Sequence, residues 1–481
     1  MLLTPTHFMK PHFNPLLTTA AMVLVAATPV LAAELRAGAA RSCITPALGT
    51  RMNGGVGPGI ARHIHDDLFV RALVLDDGTN RLAFAVVDTC LLDRPVFDAA
   101  KKLIQRDPGL APERVMLSCT HTHSAGAGCG VHLTDADGTY RAWLPGRIAD
   151  AVSCAMNNLA PAQLAWGSGS VPQHVFCRRL LIKPGITYTN QLGFTNELAK
   201  MNWDSPHPAD GEPAGPTDPE VSVLSVKHAD GRPLALLANY SLHYVGDVGY
   251  GDISADYFGA FSDQIQQLLG ADRQDPPFIG MLCNGTSGDI NNVNPKAKRE
   301  TAPPYTQIRR VATDVSQEVL RVARGLEYRR TVNLGAAARE CVVAVRRPSA
   351  DEVQKARALV AGRTVEQLSG WTDNYAREQL FLSEWPPEVS LPLQVFRIGE
   401  LAIAAWPGEI FAASGLDLKR SSPIKPLFNV GLANGWYGYI PPPEQFRVGA
   451  YETWRMRTSP LESNAIPKMT DGFLSLIRAL E

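Results

Sequence analysis

Two hydrophobic periods alternate along this chain. Near-continuous apolar runs at Leu68–Leu75 and Leu82–Val87 flank Asp76-Asp77-Gly78, which predicts a strand pair around a tight turn. Val115–Cys119 reads as a short buried strand that runs straight into His121. Leu234–Tyr240 is a second, just ahead of His243, and Phe278–Cys283 a third, ending in Asn284-Gly285-Thr286-Ser287-Gly288-Asp289. Leu393–Ile398 and Leu401–Ala405 predict a hairpin across Gly399, and its second strand leads to Pro407-Gly408-Glu409. Between these runs, apolar residues return at helical spacing over Pro95–Gln105, Tyr140–Leu159, Ala255–Leu269 and Ile308–Ala323. The expected fold class is α/β: a single large domain of mixed sheets and helices, with the site loops at strand ends.

Four of these strands stop in polar turns that carry His, Asp or Glu. In α/β folds ligands gather at the C-terminal ends of strands, where loops converge. The segment Arg178–Pro219, rich in Pro, Gly and Asn, reads either as a long ordered loop over a pocket or as a surface excursion. There is no internal repeat and no low-complexity tract.

Composition narrows the function classes. The chain has 481 residues, a net charge of −1, 45% hydrophobic and 19% charged residues. Nothing here draws nucleic acid or an anionic membrane over long range. Near the N-terminus Lys10 precedes an apolar stretch, Leu16–Val30, followed by Leu31-Ala32-Ala33. That pattern predicts a signal peptide over residues 1–33 with cleavage near Ala32 or Ala33. The stretch is shorter than the roughly 20 residues needed to span a bilayer. The expected mature protein, residues 34–481, is periplasmic or secreted, with no stable membrane span. Export permits disulfides, so one or two bridges are expected among the eight cysteines, although Cys119 and Cys283 read as inert core thiols. Oligomeric state is not legible.

Five segments carry chemistry. In Thr120-His121-Thr122-His123-Ser124 one imidazole can bind a metal while the other orients it or carries a proton; a buried hydrogen-bonded pair is the plainer alternative. A metallo-β-lactamase pattern would place Asp two residues after the second His, where Ala125 stands. His243 is a second candidate ligand, whereas Asp256, behind the expected N-cap Ser254, reads as a first-turn structural charge. The Asn284–Asn292 turn suits either substrate contact or an Asx turn. Glu409 is a capping charge or a metal ligand. Trp436–Phe446 is an aromatic loop.

Taken in order, these segments, together with Ile64-His65-Asp66-Asp67-Leu68-Phe69-Val70-Arg71-Ala72, resemble the N-terminal catalytic domain of the neutral/alkaline non-lysosomal ceramidase family. The resemblance covers most of the mature length and marks the chain as a divergent member. It implies a zinc ion (Zn2+) held by His121, His243, Glu409 and Tyr439, with Tyr437 as second choice for the last. His123 then becomes a neighbour that either supports the ligands and orients substrate or acts as the acid–base group. Arg178, or its neighbour Arg179, helps bind substrate. Asn291 stands where the family has a serine acting at the substrate, so an acyl-serine route is not supported. The chain ends soon after Tyr439, and the family's C-terminal β-sandwich domain is expected to be absent. The implied activity is hydrolysis of an N-acyl amide bond by metal-activated water, on a ceramide-like or smaller amide. Ester or lactone hydrolysis, a metal-assisted lyase reaction on a small polar molecule and a non-catalytic binding homologue remain the alternatives.

Overall fold

The hairpin around Asp76-Asp77-Gly78 seeds the largest sheet. Phe69–Asp76 pairs antiparallel with Arg81–Val87, from Val70 opposite Val87 to Asp76 opposite Arg81. Asp76 accepts from the Gly78 amide (2.8 Å) and from Arg81 Nε (2.6 Å), and Gly78 takes the positive φ that such a turn requires. The computed structural model describes Met1, Leu2, Thr4 and residues 34–298 and 302–481, and Ala33–Glu481 form one structural unit. The expected signal peptide lies outside the described residues except for Met1, Leu2 and Thr4. Among the described residues no helix is long and apolar enough to cross a membrane.

Eight strands make the large sheet, in the order Ile279–Asn284, Pro233–Tyr240, Glu220–His228, Ala160–Ser170, Arg36–Cys43, Phe69–Asp76, Arg81–Val87, Val115–Cys119. Only the outermost pair at each edge is parallel. Both edge strands therefore run toward the same kind of turn, one leading to His121 and the other to Gly288 and Asp289. The sheet curls until its edges approach: Asn284 Nδ2 donates to the Thr120 carbonyl (3.1 Å). One segment fills the remaining gap. Gly431 N donates to Asn284 O (2.9 Å), Cys119 N to Leu432 O (3.2 Å) and Asn434 N to Leu117 O (2.8 Å). This seam is what brings histidines from distant strands together.

A second sheet of four strands, Leu334–Ala344, Glu388–Ile398, Leu401–Ala405 and Leu427–Val430, packs into the concave face of the first. Phe84 meets Phe396 edge to face there, with ring centroids 5.1 Å apart. In the buried strand Phe69–Asp76, side chains alternate between layers as its two-residue period demands. Leu73 and Leu75 face the second sheet, while Ala72 and Val74 face helices Arg94–Arg106 and Gly138–Asn157. Helices Asp256–Leu268 and Thr306–Arg324 cover the other half of the large sheet. The α/β class and the predicted helices agree with these elements to within two residues at each end.

Two expectations change. Arg178–Pro219 contains ordered structure: Arg179–Ile182, Ala199–Met201 and Asp210–Pro213 form a small antiparallel sheet. Its short strands are interrupted by Pro and Gly, which hides their alternation. The expected disulfides are absent, and all eight cysteines are free. The thiols are separately engaged: Cys43 with Thr45, Cys177 with the Arg179 carbonyl, Cys283 with Ala238 and Asn239. Burial pushes Cys119 well up and Cys283 up to about 12, as expected of inert core thiols.

Candidate metal centre

His121 follows the edge strand by two residues. Strand-like bonds continue past Cys119, with Thr120 N on Val87 O and His121 N on Thr89 O. At His121 the backbone then takes φ +77°, a conformation that non-glycine residues adopt at a cost and that recurs at functional sites. The turn aims the ring inward, where its Nδ1 lies 2.9 Å from the Cys90 carbonyl. His243 leaves the strand Pro233–Tyr240 beside its parallel neighbour, and its Nδ1 lies 3.0 Å from the Ser287 carbonyl. Asp256 stays structural, as expected: its carboxylate accepts from the amides of Val245, Gly246 and Tyr257 and so fixes the turn after His243.

Glu409 sits on a two-residue strand, Glu409–Ile410, parallel to Tyr439–Ile440. The Asn284–Asp289 turn docks against it, with Gly288 N donating to Ile410 O (2.8 Å). A Cβ at Gly288 would lie 2.5 Å from the Glu409 carbonyl oxygen, so only glycine allows this approach. Trp436 Nε1 donates to Glu409 Oε1 (2.9 Å).

The three groups converge. His121 Nε2 lies 2.8 Å from His243 Nε2 and 3.3 Å from Glu409 Oε2, and His243 Nε2 lies 3.6 Å from the same oxygen. A backbone carbonyl only accepts, so each Nδ1 carries the ring proton and each Nε2 is a bare lone pair. Two lone pairs and a carboxylate then face one another with no proton between them. Glu409 Oε2 is buried and lacks any hydrogen-bond partner. A cation satisfies all three atoms at once. Ligands about 2.0–2.1 Å from a tetrahedral zinc stand roughly 3.3 Å apart, within the spread seen here. Burial, helped by the Arg178 charge, holds His243 and His123 well below the ordinary imidazole range, in the neutral form. Burial raises Glu409, whereas the Trp436 N–H and the Arg178 charge favour its carboxylate form.

His123 joins from the side, its Nε2 3.2 Å from His121 Nε2 and its ring stacked on Tyr244 (centroids 3.6 Å apart). Cys90 is also close, its Sγ 3.8 Å from His121 Nδ1, the nitrogen that faces the Cys90 carbonyl rather than the trio. Tyr439 lies parallel to the His243 ring at 6.4 Å. Tyr437 points elsewhere, donating to the Ser390 carbonyl (3.1 Å). Arg178 is buried with its guanidinium 5.1 Å from the Tyr439 ring centroid. Its Nε donates to Glu452 (2.8 Å), whose other oxygen takes Arg179 Nη1 (2.6 Å). Of the two arginines, Arg178 is therefore the one that reaches the centre. Asn291 is held sideways: its Nδ2 donates to Asn202 Oδ1 (2.8 Å), and its Oδ1 accepts from Asn202 Nδ2 and Val293 N. Sequence reasoning missed Glu452, Tyr451 and the role of Trp436. Trp436 lay in the noted aromatic loop; Tyr451 and Glu452 follow it without any spacing signal.

With this geometry in place, comparison with known proteins identifies the lineage. A model of the neutral/alkaline non-lysosomal ceramidase N-terminal region matches residues 37–304. The chain belongs to this family. It is 21% identical over 453 residues to the neutral ceramidase of Pseudomonas aeruginosa, covering 81% of this chain and 64% of that relative. The chain thus spans just under two thirds of that relative's length. Neutral ceramidase A of Dictyostelium discoideum is 36% identical over 78 residues, 14% of this chain and 10% of that protein. Two solved structures share the fold over 93% of this chain. One is the Pseudomonas aeruginosa neutral ceramidase (TM-score 0.68, 19% identity, 74% of that chain covered); the other is a ceramidase complexed with C2 (TM-score 0.69, 18% identity, 75% covered). The matched region includes the segments that carry His121 and His243 and ends before Glu409.

Proposed function

We propose that this protein is an exported zinc-dependent hydrolase that cleaves the N-acyl amide bond of a ceramide-like lipid or a smaller amide. The observation that carries this reading is the buried trio of His121 Nε2, His243 Nε2 and the unpartnered Glu409 Oε2. His121, His243 and Glu409 would hold the ion, with Tyr439 as a fourth ligand. Bound there, zinc lowers the pKa of a water to about 7 and polarises a carbonyl.

The chain's own residues supply the rest. The Cys90 and Ser287 carbonyls fix the tautomers of both ligand histidines, and Trp436 fixes the carboxylate. His123, neutral through burial, can accept a proton and pass it to the leaving amine, without which amide cleavage stalls. Arg178 keeps a buried Nη2 without a partner, placed to hold a polar group of the substrate. With Asn291 at the position of the family's serine, a water route is the consistent one.

Incubating the purified protein with a panel of N-acyl amides and matched esters, with and without EDTA, tests the reading. Amide cleavage that EDTA abolishes and zinc restores is expected. Cleavage of esters alone would transfer the assignment to ester chemistry, and no turnover by zinc-loaded protein would leave a binding homologue.

A further inference from the structure

A chain of side chains that sequence reasoning did not connect leads from helix Gly370–Glu384 to Tyr439. Asn374, fully buried on that helix, places its Nδ2 3.0 Å from His132 Nδ1. His132 Nε2 lies 3.0 Å from the Tyr451 hydroxyl. The Tyr451 ring in turn meets Tyr439 edge to face, with ring centroids 5.5 Å apart. His132 is itself buried and held at φ +54°, with its carbonyl taking Arg377 Nη1 (2.5 Å).

The hydrogen-bond directions follow from the donor inventory. An amide nitrogen only donates, so His132 Nδ1 accepts and the single proton of the neutral ring sits on Nε2. That proton is donated to the Tyr451 oxygen. A phenolic O–H lies near its ring plane in one of two roughly opposed settings. The setting toward His132 is blocked by the incoming N–H, and the other faces Tyr439.

We propose that His132, locked by Asn374, is a positioning residue that makes Tyr451 a hydrogen-bond donor to Tyr439. This rests on the reading of His121, His243 and Glu409 as a metal centre with Tyr439 beside it. The Tyr439 oxygen then receives the Tyr451 donor and keeps a lone pair for the trio. Such outer partners are worth about 10- to 100-fold in metal affinity.

Two measurements on the full-chain protein test this. Nitrogen-15 NMR of histidine-labelled protein reads the His132 tautomer directly; Nε2–H is expected, and Nδ1–H overturns the chain of donors. Zinc affinity by chelator competition is then compared across His132→Phe, His132→Gln, Tyr451→Phe and the His132→Phe/Tyr451→Phe double variant. Both Phe variants should bind zinc about 10- to 100-fold more weakly. The double variant should bind no more weakly than Tyr451→Phe, because one residue acts through the other. His132→Gln, which keeps an N–H donor, should lose less than His132→Phe. Losses that multiply, or a Tyr451→Phe protein that binds zinc as tightly as the parent, overturn the proposal. A parent that binds no zinc fails the metal reading itself, and the tautomer still decides the hydrogen-bond chain.

Discussion

Glu409 and Tyr439 stand directly opposite each other in a parallel pair of two-residue strands. That register delivers a carboxylate and a phenol to one centre from segments 30 positions apart in the sequence. Tyr439→Phe should therefore weaken zinc binding and lower amide turnover by tenfold or more. Tyr437→Phe, whose hydroxyl serves the Ser390 carbonyl, should leave zinc affinity unchanged. Equal effects of the two variants on zinc affinity would refute the assignment.

Trp436 holds the Glu409 oxygen that does not face the histidines. Trp436→Phe keeps the ring and removes the N–H. Zinc affinity should drop about 10- to 100-fold while most of the packing is retained. Chelator competition set beside a melting curve separates the two effects.

Gly288→Ala tests the seam. The new Cβ must displace the Glu409 backbone, since the nearest atoms it meets, 2.5 to 3.1 Å away, are all backbone. A loss of about 1–3 kcal/mol in stability is expected, together with impaired zinc binding. Parent-like zinc affinity in this variant would show that the Glu409 position tolerates movement.

Asn291→Ser should leave zinc affinity intact, because both amide groups of Asn291 engage Asn202 and Val293 rather than the trio. It should cost about 1 kcal/mol by stranding Asn202. A rise in ceramide cleavage would identify this position as a substrate determinant, and no change would remove it from that role.

Asp289 gives a pH signature. Burial pushes its carboxyl up to about 6, against an ordinary 3.8, while the Ala412 amide and Arg179 oppose the shift only in part. The folded state therefore binds the proton more tightly than the unfolded one. This contribution to stability is fully present below about pH 4 and is lost as pH rises toward about 6, a change of about 3 kcal/mol. Asp289→Asn should gain stability relative to the parent across that window. Denaturant titrations at several pH values would show it, and parallel curves for the two proteins would rule it out.

The candidate metal trio was flagged because His121, His243 and Glu409 each follow an apolar strand, a local signal that left other roles open until the family resemblance chose among them. The choice of Arg178 over Arg179 and of Tyr439 over Tyr437 was not local. It depends on Glu452 bridging the arginines and on Ser390 capturing one phenol, both from remote segments. His132 and Asn374 were invisible for the same reason: 242 positions separate them. The curl of the large sheet was equally hidden, because the Leu432–Asn434 seam that brings its edges together leaves no periodicity.

The metal content of the purified protein bears most directly on the account. About one zinc per chain is expected, lost in His121→Ala and in Glu409→Ala while both variants stay folded. Folded parent protein that takes up no zinc or other transition metal, even when zinc is supplied, would contradict it.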